Sequence, residues 1–202
     1  MIKLEKITKS FGDHVIFDNF SLDINDNEFV VFNGVSGCGK TTLLNMIGGI
    51  EPVNSGNIFV NDINVSSQKN MRMYFAQHIG FLFQNFALVE HKTVQKNLEM
   101  IPKKYSTGIS IQEALKKVGM EGKENQKVYQ LSGGEQQRIA LARLMIKKCS
   151  VILADEPTGS LDRENAKSVI SILKQMHCDG KTIIMVTHDK TIIDDEMRIV
   201  EI

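Results

Sequence analysis

Over residues 2–24 apolar and polar side chains alternate in short runs, broken at Gly12-Asp13 and Asp18-Asn19, which predicts small antiparallel strands. The run 28–33, EFVVFN, is different: it is almost continuously apolar and followed by glycines, as a strand buried on both faces of a parallel sheet requires. It leads directly into a predicted helix over 40–47. After Pro52 and Gly56 a short strand is expected at 57–61, and 79–83 reads as another buried strand. Apolar residues then recur at three- and four-residue spacing over 93–100 and 111–118, with Thr93 and Ser110 in N-cap position, so a helical insert is expected. Past Ser132 the pattern predicts helix 134–147, strand 151–154, helix 164–177, strand 182–187 and a last short strand, 198–202. Alternating strands and helices imply an α/β fold with a mainly parallel sheet, joined here to a small antiparallel β subdomain. The chain carries no internal repeat, low-complexity tract or linker.

Composition narrows the partners rather than the fold. The chain has 202 residues, 42% of them hydrophobic, which suits one domain with a substantial core. Its 24 basic and 24 acidic residues cancel, leaving no charge footprint for nucleic acid or anionic lipid. No apolar stretch approaches the roughly 20 residues that cross a bilayer, and residues 1–10 lack the apolar region of a signal peptide, so a cytoplasmic chain is expected. Cys38, Cys149 and Cys178 are odd in number and too scattered for a metal pair or a disulfide framework, and are read as reduced thiols.

The chemistry starts where the first buried strand ends. Residues 34–41, GVSGCGKT, match G-x-x-x-x-G-K-[ST] and lie between an apolar strand and a helix, the context a phosphate-binding loop needs. Its glycines let backbone amides turn toward phosphate oxygens, and the helix N-terminus adds partial positive charge. Lys40 is then placed for the β- and γ-phosphates, and the Thr41 hydroxyl for Mg2+. The bland alternative is a Gly-rich turn beside a surface lysine. A second apolar run, 151–154, ends in Asp155-Glu156, where open α/β sheets bind ligands. Asp155 is the candidate for holding Mg2+, and Glu156 for polarising an attacking water. Taken alone, that segment favours a solvated acidic turn; beside the phosphate loop the balance reverses.

Residues 131–138, LSGGEQQR, closely resemble the LSGGQ signature of ATP-binding-cassette (ABC) ATPases. Ser132 can cap the following helix, and Gly133 and Gly134 are expected to leave its first amides open to an anion. The resemblance covers essentially the whole chain and keeps the family's motif order: phosphate loop, Gln84, signature, Asp155-Glu156, Ser160-Leu161-Asp162 and His188. It implies an ABC ATPase fold as a single domain over 1–202, with a nucleotide-binding core at about 1–84 and 150–202 and a helical subdomain at about 85–149.

The resemblance also implies a site. Nucleotide contacts fall on Phe11, Gly34, Ser36, Gly37, Cys38, Gly39, Lys40, Thr41 and Thr42, and, from a second subunit, on Ser132, Gly133 and Gly134. Mg2+ falls to Thr41, Gln84 and Asp155. The catalytic group is Glu156, His188, Lys40 and Gln84, with His188 contacting the γ-phosphate and Gln84 linking hydrolysis to a membrane partner. Phe11, in an early loop before Gly12, takes the position that stacks on adenine, usually a tyrosine; it reads otherwise as an ordinary core aromatic. Cys38 lies inside the phosphate loop, so a thiol reagent there is expected to block nucleotide binding, which turnover after alkylation tests.

The stretch 154–162, ADEPTGSLD, with 83–88, FQNFAL, is similar to the subgroup serving macrolide export, lipoprotein release and bacteriocin export, although asparagine is commoner there at Ser160. The expected protein is an ATP-hydrolysing subunit that forms a homodimer, or pairs with a homologous subunit, and drives export of a peptide or related amphipathic substrate. A separate permease would hold it at the inner face of the membrane. With one short strand after His188, a bare motor is expected. A non-transport ABC ATPase, ATP-driven mechanotransmission on envelope proteins or lipoproteins, and an ATP-sensing scaffold remain alternatives, and the joint presence of Lys40, Asp155, Glu156 and His188 speaks against the last.

Overall fold

A computed structural model describes residues 1–67 and 71–202. The first half contains β1 (Ile2–Phe11), β2 (His14–Ile24), β3 (Phe29–Asn33), α1 (Lys40–Ile47), β4 (Ser55–Val60), β5 (Ile63–Asn64), α2 (Met71–Gln77), β6 (Ile79–Leu82) and α3 (Val94–Leu98). The second contains α4 (Ile111–Lys117), α5 (Gly133–Ile146), β7 (Val151–Asp155), α6 (Arg163–Cys178), β8 (Thr182–Val186) and β9 (Arg198–Glu201). Four strands form an antiparallel sheet in the order β2-β1-β4-β5, and five form a parallel sheet in the order β6-β7-β8-β3-β9.

The continuous apolar runs become the centre of the parallel sheet, because each must bury both faces. Val30 and Phe32 of β3 pack with Leu43, Leu44 and Ile47 of α1 and with the antiparallel sheet. Their neighbours Phe29 and Val31 pack on the opposite side with α5 and α6. The same alternation divides Ile152 and Ala154 from Val151 and Leu153 in β7. Each such side chain contributes about 1.5–3 kcal/mol on burial, so α1 is fixed firmly to the sheet that feeds it.

Three expectations change. Asp18-Asn19 is not a strand end: β2 continues through it, and the ladder shifts register between Ile7↔Phe20 and Lys9↔Phe17, with Asn19 at φ 52°. An asparagine tolerates that left-handed conformation, so the break in the pattern marks a bulge. Phe11 is the last residue of β1, paired with His14, rather than a loop residue. Helix α2 and strand β5 were not foreseen; α2 buries only Tyr74, whose hydroxyl donates to Ile47 O at 2.6 Å, too little to produce a helical period.

Register places the chemistry. Phe32 pairs with Val186, Asp155 with Val186, and Leu82 with Ala154. The carboxyl ends of β3, β6, β7 and β8 therefore lie level, and the residues that follow them emerge along one edge of the sheet.

Candidate functional site

Residues 34–39 connect β3 to α1 as a loop in which Gly34, Gly37 and Gly39 all have positive φ. At Gly39, φ is 107° and a Cβ would lie 2.4 Å from Ile16 Cγ2, so neither the conformation nor the seat of the β1–β2 hairpin on the loop admits a side chain. Gly39 is also the N-cap of α1, and no side chain caps that helix. Thr93, Ser110, Ser132 and Asp162 cap α3, α4, α5 and α6. The first amides of α1 thus face the loop without a side-chain acceptor, the arrangement that suits an anion.

Lys40 is 4% exposed, and its Nζ donates to Gly34 O at 2.9 Å and Val35 O at 2.8 Å, folding the ammonium across its own loop beside Cys38 Sγ at 3.7 Å. Thr41 Oγ1 donates to Asp155 Oδ1 at 2.9 Å, bringing the ends of two motifs 114 residues apart into contact. A hydroxyl and a carboxylate oxygen at that separation form the hard-oxygen donor set that Mg2+ takes alongside substrate phosphates. Ser36, Gly37, Gly39, Lys40, Thr41 and Thr42 line one cleft of about 240 Å³ with Ile16, Val186, Glu156 and His188.

Glu156 sits at φ 46°, with its N–H donating to Val186 O at 3.0 Å. Its Oε1 is buried and accepts no hydrogen bond of normal geometry, although His188 Nε2 lies 3.1 Å away. Burial raises the Glu156 carboxyl above its ordinary value, and the neighbouring His188 works against that rise. A carboxylate of raised basicity beside an open cleft is what a general base or water-orienting group needs. Gln84, just beyond β6, places its Nε2 3.4 Å from where a Gly159 Cβ would stand, and it lines the adjoining cleft with Glu156, Thr158, Gly159 and His188.

The signature residues lie elsewhere. Ser132, Gly133 and Gly134 open α5 and are not among the residues lining the phosphate-loop cleft. Ser132 Oγ accepts from Glu135 N at 3.3 Å, and Glu135 Oε2 accepts from Ser132 N at 2.8 Å. The two glycines differ in their surroundings. Gly134 is buried, and a Cβ there would meet Asn165 Cγ at 2.4 Å, so this glycine lets α5 approach α6. Phe11 ends β1, 50% exposed, and is not among the residues lining the cleft.

Residues outside the motifs complete the frame. Gln137, 1% exposed, donates from Nε2 to Pro157 O at 2.7 Å, and Arg138 Nη1 donates to Asn165 Oδ1 at 2.5 Å. Asn165 Nδ2 in turn donates to Asp162 Oδ2 at 2.6 Å. The signature helix is thereby tied to the segment 157–165. The signal for Gln137 was a polar residue falling on the buried stripe of a helix.

The chain matches the ABC transporter family over residues 17–159 and belongs to it. It is 38% identical to the macrolide export ATP-binding/permease protein MacB of Mannheimia succiniciproducens, over 100% of this chain and 33% of that protein. It is 38% identical to the arginine transport ATP-binding protein ArtM of Bacillus subtilis, over 94% of this chain and 81% of that one. The cell division ATP-binding protein FtsE of Mycobacterium tuberculosis is 36% identical, over 100% and 92%. The chain therefore spans about a third of the MacB length and most of the other two. Among solved structures, a dimeric bacterial ABC transporter cassette superposes with TM-score 0.86 and 34% identity, over 100% of this chain and 94% of that one. The fold is the P-loop ABC ATPase fold, with mixed parallel and antiparallel sheets and helical subdomains, and the chain is an ATP-binding and ATP-hydrolysing subunit.

Proposed function

We propose that this chain powers a membrane exporter by binding and hydrolysing ATP at the loop 34–42, with Mg2+ held by Thr41, Asp155 and Gln84. The observation that carries the reading is one cleft lined by Lys40, Thr41, Glu156 and His188, in which Thr41 is also bonded to Asp155 at 2.9 Å. Lys40 releases its two loop carbonyls to take the β- and γ-phosphates, and the uncapped amides of α1 surround the β-phosphate. Mg2+, when bound, offsets the charge of the β- and γ-phosphates. Glu156 orients and accepts a proton from the attacking water, and His188 holds the γ-phosphate. Phe11 stacks on the base.

Two copies would sandwich two nucleotides, the Ser132-Gly133-Gly134 turn of each closing the site of the other, as suits a signature that stands outside its own chain's cleft. The segments 1–84 and 150–202 form the nucleotide-binding core, and 85–149 the helical part that meets a separate permease at the inner face of the membrane. The MacB likeness favours export; a peptide or related amphipathic substrate is the reading that the motifs 83–88 and 154–162 support. A second reading, in which the same ATP cycle does mechanical work on envelope proteins or lipoproteins without export, stands beside it; the likeness to a cell division ATP-binding protein, over 92% of that protein, favours a role other than export.

The test is to purify tagged Glu156→Gln protein from its native cells with ATP present and identify its companions by mass spectrometry. Recovery of a permease with several membrane spans is the expected result. Recovery of ribosomes or DNA-bound complexes without a membrane protein would contradict transport.

A further inference from the structure

The inward-facing positions of β1 are apolar except at one place, Lys9. It is 5% exposed, and its Nζ donates to Glu51 Oε1 at 2.5 Å and Pro52 O at 2.8 Å. A buried cation is retained only where its partners offset the loss of water, and these two do so. A lysine used only to brace β1 against residues 51–52 would need nothing more. Yet the same Nζ lies 4.5 Å from the centroid of the Phe11 ring, two residues along the strand and on the same side of it. Phe11 is half exposed, so it is backed by a cation while remaining open to a ligand. The hairpin that carries it is seated on the phosphate loop: Ile16 of β2 lines the cleft with Gly39.

We infer that Lys9 is a positioning residue for the base of the nucleotide, its ammonium anchored by Glu51 and Pro52 so that it fixes the Phe11 ring and draws that ring's electron density away from the open face. This rests on the reading of Phe11 as the base-stacking residue. An exposed phenylalanine loses rotamer freedom when it stacks; one already held by a cation has less to lose. Phenylalanine also offers the base no hydroxyl, so the contact consists of stacking alone, and stacking strength depends on the ring's orientation and polarisation.

The experiment compares ATP with inorganic tripolyphosphate, which occupies the phosphate loop but has no base, by equilibrium titration of the full chain with Mg2+. Phe11→Ala is expected to weaken ATP and leave tripolyphosphate unchanged. Lys9→Met is expected to weaken ATP about fivefold, in line with a partly desolvated cation–π contact, and to leave tripolyphosphate unchanged. In the Phe11→Ala background the same substitution should have no further effect. Lys9→Gln, which is neutral but can still donate to Pro52 O, should reproduce the selective loss if Lys9→Met does not fold. Equal losses for both ligands would make Lys9 a structural brace and overturn the inference. So would unchanged ATP affinity in the Lys9 variants when Phe11→Ala weakens it, and in that case the reading of Phe11 would stand. No effect of Phe11→Ala on ATP would remove that reading and the inference together.

Discussion

Asn165 cannot easily move aside for a neighbour, because Arg138 and Asp162 both hold its amide. That makes Gly134 a fixed point of contact between α5 and α6, since a Cβ there would come within 2.4 Å of Asn165 Cγ. Gly134→Ala should therefore lower stability by about 1–3 kcal/mol, the usual cost of overpacking a rigid neighbour. The double substitution with Asn165→Ala should recover part of that loss in denaturant titration. Strict additivity of the two losses would show that the close approach is not what matters. The motif letters announce the glycines at 133 and 134, but they do not distinguish the one that packs from the one left at the surface. Gly133 has no contact closer than 3.6 Å for an added Cβ, a difference set wholly by a residue on another helix.

At the scale of elements, the edge strand β9 depends on side-chain ties as well as its ladder to β3. Arg198 Nη1 donates to Glu28 Oε2 at 2.9 Å and to Asp23 O at 3.0 Å, and Asn33 Nδ2 to Glu201 Oε1 at 2.7 Å. Burial works against the Glu28 carboxylate, but hydrogen bonds from Asn25 and Arg198 outweigh it and hold the carboxyl below its ordinary value. A lowered folded-state value means the pair stabilises above the ordinary carboxylate range and is lost as pH falls through the lowered value. Arg198→Ala should thus cost about 0.5 kcal/mol near neutral pH. The Tm gap from the parent chain should narrow as the medium is acidified, leaving the part due to Asp23 O. A gap that widened with acid would contradict the pairing. The elements themselves were readable where burial is two-sided or a cap is present: α1 runs over 40–47 as expected, and Thr93, Ser110 and Ser132 cap α3, α4 and α5. Helix α2 (Met71–Gln77) buries one side chain, so the burial signal was not available for it.

For the whole molecule, the decisive fact is how separated motifs meet. The spacing of the phosphate loop and of Asp155-Glu156 predicts which residues gather, and the level strand ends explain how, because β3, β7 and β8 are neighbours in register. The partners of Lys9 and Gln137 were hidden: each is a polar residue at a buried position whose meaning depends on another segment, Glu51 in one case and Pro157 in the other. A sequence pattern records periodicity and local chemistry, not such pairings. The signature turn lies outside the cleft of its own chain, in keeping with a site completed by a second copy. The central claim, that the cleft turns over ATP through Glu156, is tested most directly by pairing equilibrium ATP binding with steady-state phosphate release for the parent chain and Glu156→Gln. The account predicts that the variant binds ATP with affinity near that of the parent and releases phosphate at least about a hundredfold more slowly, the scale expected for loss of a general base. Phosphate release at the parent rate would contradict it.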